Sequence, residues 1–444
     1  MEKNVVVIGG GPAGITAAVS ARRYYPDARI KLIRQEEKVL IPCGIPYVLG
    51  TVKSPEKNLM PDTVLSNNGI ELIVDKVTSI NEGAKTLSTV KGDTIGYEKL
   101  VLATGSLPLV PPLSGLELDN VFVVKKEINY LQKLLDALDR AKDVVIIGGG
   151  FIGLEFADEC KKRGIPNVTV IELLPHCLLL ACDEEICRRV EEKLQERGIN
   201  LLTDRKAESI QGVKKVESVQ LKNGQKIKAD AVILGIGVVP NVELAEKAGL
   251  RVDKKAGIWV DDFMRTSDED ILACGDCAEK RCYLSGTPVA IRLASVGTTE
   301  ARIVGANLFA TRKRMECPIG IFSTCFGDLA VGSAGLTERR AKELNIDIAT
   351  SEVVAPDKHP GGIPGTKKLG VKLIFEKDTG LLIGSQVYGG SSVGELINFI
   401  GALIQYKMRA DEIATFQMGT HPMLTASPVV YQIINAAEIA STRR

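Results

Sequence analysis

Tryptophan occurs once in the 444 residues, and aromatics make up only 5%. That leaves no aromatic platform on which bases or sugars would stack. Neither sign of charge dominates: 56 Lys and Arg stand against 55 Asp and Glu, a net charge of +1. Proteins whose main role is nucleic-acid binding carry a basic excess or stripe, so that class is set aside. Cysteine is sparse, with 10 scattered residues, which excludes a disulfide scaffold. No apolar run is long enough to span a bilayer; the most apolar late segment, near Leu396–Ile404, is short and contains Asn398. The start shows no leader pattern, because the strand-like run from Asn4 goes straight into glycines. A cytoplasmic protein with reduced thiols is expected.

Glycine is abundant instead: 43 residues, against an average near 7%, clustered between apolar runs. Hydrophobic residues at 45% and charged residues at 25% fit a folded soluble chain of about three domains.

The chain repeats itself once. Residues 5–18 read VVVIGGGPAGITAA and residues 144–157 read VVIIGGGFIGLEFA. Each copy is a β-branched run, a glycine turn and a helix-like stretch, followed by a second apolar strand (Ile30–Ile33 and Val168–Ile171). That pattern predicts two βαβ units with parallel sheets. Between them, Pro108, Pro111 and Pro112 mark one crossover and Lys125–Lys142 reads as an amphipathic helix; after the second copy, Ile233–Pro240 marks a second crossover. Beyond about Gly320, Phe322–Val331, Val371–Glu376 and Leu381–Val387 read as antiparallel strands. Val393–Lys407 and Pro428–Ala440 read as helices of a third, α+β domain.

Each glycine turn fits a dinucleotide. In the first, Gly9 allows the tight turn, Gly11 admits the pyrophosphate and Gly14 lets the helix pack on the strand, with Pro12 and Ala13 between. The helix start then offers N–H groups to the anion. In the second, Gly148, Gly150 and Gly153 play these parts, and Glu172 follows about 20 residues on, where an acid accepts from a ribose 2′-OH and favours NADH over NADPH. The first copy departs from that rule. Arg34 stands at the ribose position, and Glu36 or the backbone is left to do the work. Two such sites in one chain imply a nicotinamide donor and a bound flavin.

Further segments give a resemblance that covers the whole chain. Ala103-Thr104-Gly105-Ser106 and Ile271-Leu272-Ala273-Cys274-Gly275-Asp276-Cys277-Ala278 resemble the two FAD motifs of the FAD-dependent pyridine nucleotide–disulfide oxidoreductases. The resemblance implies an α/β fold with two Rossmann-like domains and a C-terminal dimerisation domain. It implies an FAD domain at 1–112 and 240–318, an NAD domain at 113–239, dimerisation through 319–444, and Asp276 on the ribityl chain. A homodimer follows from it, with no nucleic-acid partner and no membrane insertion.

Cys43, in Leu40-Ile41-Pro42-Cys43-Gly44-Ile45-Pro46-Tyr47, lies after the second strand. The family's dithiol branch has two cysteines here with four residues between them; this chain has Lys38 five positions upstream and Val48 five downstream. It therefore resembles the single-cysteine branch of CoA-disulfide reductases, polysulfide or persulfide reductases, NADH oxidases and NADH peroxidases. A lone thiol can exchange electrons only through a bond to an outside atom, sulfur or oxygen. A helix starting after Cys43 would favour its thiolate. The branch's peroxidases and oxidases carry a His in the first glycine loop, and none stands at 11–14. The resemblance places Thr16, Ser20 and Arg23 toward a CoA group. Their i, i+4, i+7 spacing puts them on one helix face; a plain solvated helix end is the other reading.

Thr420-His421-Pro422 resembles the family's C-terminal His-Pro segment, whose His is an acid/base; Ala426 stands where its carboxylate partner belongs. Tyr431 competes as proton donor. Cys274 and Cys277 read as packing residues around Asp276, since no second Cys or His pair completes a metal site. His359 reads as part of a turn.

The expected activity is an NADH-dependent, FAD-containing reductase of a low-molecular-weight disulfide, persulfide or polysulfide. An NADH oxidase, or a reductase of a small electron-transfer protein such as a rubredoxin, stands as the alternative.

Overall fold

Val5, Val6 and Val7 are wholly buried in the strand Asn4–Ile8. β-Branched side chains suit extended backbone, and burial on both faces suits the middle of a parallel sheet. The strand is the third of five, in the order Ile271–Ala273, Lys99–Leu102, Asn4–Ile8, Arg29–Arg34 and Glu71–Val74. Every neighbouring pair runs parallel. The crossover from the first strand to the second is the helix Pro12–Tyr24, begun by Pro12, whose fixed φ suits the first helical position. This helix lies along Ala294–Asn307. Their contact is tight: a Cβ on Gly305 would stand 2.5 Å from the Ser20 Cβ.

The computed structural model describes residues 3–442. The chain forms two compact units. One takes the chain up to Pro111, Val123–Asp139 and Gly237–Pro318; the other takes Pro112–Phe122, Arg140–Ile236 and the chain from Ile319. In the first unit the outgoing strand Ser106–Pro108 pairs antiparallel with the returning strand Val238–Pro240. The helix foreseen at Lys125–Lys142 spans Ile128–Leu138, with Leu131, Leu134, Leu135 and Leu138 buried on one face.

The second unit repeats the first βαβ arrangement. Ile199–Leu202, Asn167–Ile171, Asp143–Ile147 and Ala231–Leu234 lie side by side and parallel. The helix Phe151–Arg163 joins the third of these to the second and ends on Gly164 at φ +94°, a left-handed cap. The same unit holds a five-stranded antiparallel sheet: Ile321–Phe326, Leu329–Gly335, Leu382–Gly389, Lys368–Glu376 and Ile348–Pro356. Helices Val393–Gln405 and Gln432–Ser441 pack on it.

Three readings of this region are corrected. Phe322–Val331 is two strands, not one, because Gly327 at φ +59° turns the chain between them. The strand Ile348–Pro356 was not foreseen; its alternation is broken by Ser351 and Glu352. The last helix begins at Gln432, after a 3-10 turn at Pro428–Val430. The α/β class with a C-terminal antiparallel sheet stands. No helix among the described residues is long and apolar enough to cross a membrane.

Candidate active site

Three segments meet at the carboxyl ends of the first sheet. Gly9 has φ +121°, and a Cβ on it would stand 2.1 Å from the Ala103 carbonyl oxygen. A Cβ on Gly14 would stand 2.0 Å from the Gly9 carbonyl oxygen. Only hydrogen fits at either place, so helix, turn and strand end close on one another. A Cβ on Gly275 would stand 2.8 Å from the Ala13 Cβ, which brings the Asp276 turn onto the first helical turn. Gly11 is different. Nothing lies within 4 Å of its Cβ position, and no side chain caps the helix that starts there. Open space above uncapped N–H groups is what a pyrophosphate requires. The residues present therefore fit a dinucleotide.

Around it, Thr104 donates through Oγ1 to the Asn241 carbonyl at 2.7 Å, and Asn241 N–H donates to the Gly105 carbonyl at 2.9 Å. Asp276 is oriented by Ser106, whose Oγ donates to Oδ2 at 2.7 Å, with Lys126 Nζ at 4.0 Å from the same oxygen. Beneath this turn lies a wholly buried pair. Glu300 accepts from Gly275 N–H at 2.8 Å and from Lys280 Nζ at 3.1 Å, and Lys280 also donates to the Gly275 and Ala278 carbonyls. Burial pushes the Glu300 carboxyl above its ordinary pKa, against the pull of Lys280. Sequence reading missed this pair, because the two residues lie on different elements with no shared motif. Cys274 and Cys277 are buried, and burial pushes both thiols up, well up for Cys274.

Arg34 does not reach into this site. It is 3% exposed, and its guanidinium grips Asp62 with both nitrogens at 2.6 and 2.8 Å while bonding the Glu36 and Glu37 carbonyls. Its side chain packs against Gly10. Glu36 is half-buried and accepts from Gln35 at 3.1 Å.

Cys43 is exposed. It sits in the 3-10 turn Pro42–Gly44, and a second such turn follows at Pro46–Val48. No α-helix begins there, so the expected helix-start effect on the thiol has no basis: the prolines at 42 and 46 break the segment into single turns. The turn is instead held by Asn58, a buried residue that belongs to no motif. Asn58 Nδ2 donates to the Ile41 carbonyl at 3.0 Å, and Ile41 N–H donates back to the Asn58 carbonyl at 2.8 Å.

The second glycine turn copies the first. A Cβ on Gly153 would stand 1.9 Å from the Gly148 carbonyl oxygen, and nothing lies within 4 Å of the Gly150 Cβ position. Glu172 is aimed at this turn. Its carboxylate accepts from Gly149 N–H at 2.5 Å and from Leu174 N–H at 2.7 Å. It packs beneath Gly149 as Arg34 packs beneath Gly10. This unit fits a dinucleotide on the same grounds.

In the C-terminal sheet region His421 is exposed and Tyr431 is buried. Burial pushes the Tyr431 phenol pKa up, so it keeps its proton. Met423 N–H donates to His421 Nδ1 at 3.3 Å. His359 bonds the loop that carries His421.

Comparison with known proteins settles the family. Residues 3–301 match the model of the pyridine nucleotide-disulphide oxidoreductases, and residues 321–430 match that family's dimerisation domain. The chain belongs to the pyridine nucleotide-disulphide oxidoreductases. It is 33% identical to an NAD(P)H coenzyme A polysulfide/persulfide reductase of Pyrococcus horikoshii, over 88% of each chain. It is 32% identical to an NADH oxidase of Methanocaldococcus jannaschii, over 93% of each. The solved structure of an NAD-dependent persulfide reductase from A. fulgidus superposes with a TM-score of 0.93 at 33% identity, covering 99% of this chain and 83% of that one.

One expectation for this oxidoreductase needs restating. Thr16 is half-buried and Arg23 exposed, but Ser20 is 5% exposed and donates to the Arg302 carbonyl at 3.2 Å. The three do not form one open face, because Ser20 is taken up in the contact with Ala294–Asn307. Among the described residues one group of carboxylates has metal-like spacing: Asp183, Glu185 and Glu338. The buried Lys372 ammonium already stands among them, 2.9 Å from Asp183 and 2.7 Å from Glu338. This is an ion-pair cluster by its chemistry.

Proposed function

We infer that this oxidoreductase uses NADH and FAD to reduce a low-molecular-weight disulfide, persulfide or polysulfide through Cys43. The observation that carries the reading is the placing of Cys43. It is an exposed thiol on a pinned turn of the unit that holds the first glycine site, and no cysteine stands at 38 or 48. The relatives named as polysulfide or persulfide reductases support it. Segments 1–112 with 240–318, 113–239 and 319–444 are read as the FAD, NAD and dimerisation parts of a homodimer.

Gly9, Gly11, Pro12, Ala13 and Gly14 hold the FAD pyrophosphate, with Ala103, Thr104 and Gly105 beside it. Asp276, oriented by Ser106, takes a ribityl hydroxyl, and Glu36 serves the ribose. Gly148, Gly150, Gly153 and Glu172 hold NADH. When bound, FAD would supply the redox link: it would accept a hydride from NADH and provide the electron pair that returns Cys43 to the thiolate. The Cys43 thiolate attacks one sulfur of the substrate, forms a mixed disulfide and expels the other sulfur as a thiolate. His421 Nε2–H, or the buried phenol of Tyr431, protonates that leaving group. The balance is RSSR′ + NADH + H⁺ giving RSH, R′SH and NAD⁺. A CoA-linked substrate would meet Thr16 and Arg23, the latter against a phosphate.

The test is anaerobic NADH consumption with CoA disulfide and with polysulfide, wild type beside Cys43→Ser. The expected result is a loss of roughly a hundredfold or more in the variant with its flavin spectrum intact, as for removal of a nucleophile. Undiminished turnover in Cys43→Ser would overturn the reading. The second reading, an NADH oxidase, is favoured by the Methanocaldococcus relative; it requires oxygen consumption with NADH to outrun sulfur reduction.

A further inference from the structure

Two of the three histidines meet at one hydrogen-bonded turn. Residues 421–425 close on themselves: Leu424 and Thr425 N–H both donate to the His421 carbonyl at 3.0 Å, and His421 N–H donates to Thr425 Oγ1 at 3.0 Å. His421, Pro422, Met423 and Leu424 are exposed, so little apolar packing restrains the turn. His359 grips it twice. Its N–H donates to the Pro422 carbonyl at 3.0 Å, and its ring Nδ1 lies 3.0 Å from the Thr425 carbonyl oxygen.

The partners fix the ring protons. A carbonyl only accepts, so His359 Nδ1 carries a proton. A backbone N–H only donates, so His421 Nδ1, which receives Met423 N–H, carries a lone pair, and the neutral ring's proton is on Nε2. Main-chain groups of a single turn thus hold the two rings in opposite tautomers.

We propose that His359 is a positioning residue: it fixes the 421–425 turn so that His421 presents Nε2–H as its donor. This rests on the reading of His421 as the proton donor. Without the His359 ring bond, Thr425 loses its outside anchor, and only the main-chain bond from the N–H of residue 359 to the Pro422 carbonyl holds the turn. The Met423 bond then opens, both ring nitrogens exchange roles, and only a fraction of molecules offers the proton in the required direction.

The experiment uses the holoenzyme labelled with ¹⁵N at histidine, whose three rings give separable nitrogen signals that report tautomer. In wild type we expect an Nδ1–H pattern for His359 and an Nε2–H pattern for His421. In His359→Ala the His421 nitrogens shift toward a mixture, and kcat for polysulfide falls roughly tenfold, part of the 10²–10⁴ a positioned acid supplies, with KM for NADH unchanged. His359→Asn, whose amide can donate to Thr425, recovers most of both. Unaltered His421 signals in His359→Ala overturn the positioning role while leaving the donor reading intact. Full turnover in His421→Ala overturns the donor reading itself, and the catalytic consequence of His359 with it.

Discussion

The Asn58 side-chain oxygen lies 1.9 Å from where a Cβ on Gly44 would stand. The residue after Cys43 is therefore a glycine because a buried amide fills its side-chain space. Asn58→Ala removes the Nδ2 bond to the Ile41 carbonyl, which keeps only its bond from Gly44 N–H, at a cost of about 0.5–1.5 kcal/mol. Sulfur reduction should fall about tenfold, since 1.4 kcal/mol of lost positioning is a tenfold rate change. Reduction of an artificial dye, which bypasses the thiol, should stay at the wild-type level. Gly44→Ala should act in the same direction. Equal losses with both acceptors would show that Asn58 supports the cofactor site and not the thiol.

The paired close approaches at Gly14 and Gly153 give a selective prediction. Each Cβ would meet a carbonyl oxygen at about 2 Å, 2.0 Å in the first turn and 1.9 Å in the second. Gly14→Ala should strip the flavin, read as loss of visible absorbance in purified protein. Gly153→Ala should keep the flavin and weaken NADH binding by tenfold or more, a cost of roughly 1.4 kcal/mol. Titration of the oxidised enzyme with NAD⁺, followed by calorimetry, checks the second.

Lys280 and Glu300 are each about 2% exposed, so neither can be removed alone without leaving a charge in the interior. Lys280→Met should cost about 3–5 kcal/mol of stability. The pH dependence has a sign. The variant leaves Glu300 with its pKa raised by burial and without the opposing cation. A raised folded-state pKa adds stability below the unfolded value and loses it as pH rises through the folded value. The melting-temperature deficit against wild type should therefore be smaller at pH 5 than at pH 8. A constant deficit would mean that Glu300 stays ionised at both.

Thiol accessibility singles out Cys43 and Cys325. Cys43 and Cys325 are exposed, Cys317 is half-buried and the other seven cysteines are buried. Burial pushes Cys160 and Cys187 up to about 12, so they stay protonated and inert. Partial burial also raises the Cys325 thiol. A disulfide reagent should modify native enzyme in one fast phase, lost in Cys43→Ser, with a slower one at Cys325. Two equal fast phases in wild type would contradict this order.

The parts legible in the sequence are those set by local backbone rules. Glycine spacing after a β-branched run announced both turns, because the backbone there tolerates no Cβ. The single Cys43 was equally plain. What escaped depends on contacts between distant segments. Asn58 carries no motif and acts by filling the Gly44 space. The short turns after Cys43 were masked by apolar residues that also suit a helix. Ser20 has the right helical phase for an open face, yet the neighbouring helix, more than 280 residues on, covers it. Arg34 stood at the ribose position by count, but its fork fits Asp62. His359 looked like a turn residue and is one, though the turn it holds is not its own.

The contact between Ser20 and Gly305 has a thermodynamic consequence. With a glycine facing it, the helix Pro12–Tyr24 lies almost backbone to backbone on Ala294–Asn307, and the Ser20 hydroxyl is tied to the Arg302 carbonyl. A helix clasped along its flank cannot swing its N-terminus. The N–H groups that meet the cofactor's anion are then aimed before it arrives, and little ordering entropy remains to be lost on binding. Cofactor retention would thus depend partly on a helix pair clasped at Ser20 and Gly305, away from the turn glycines themselves.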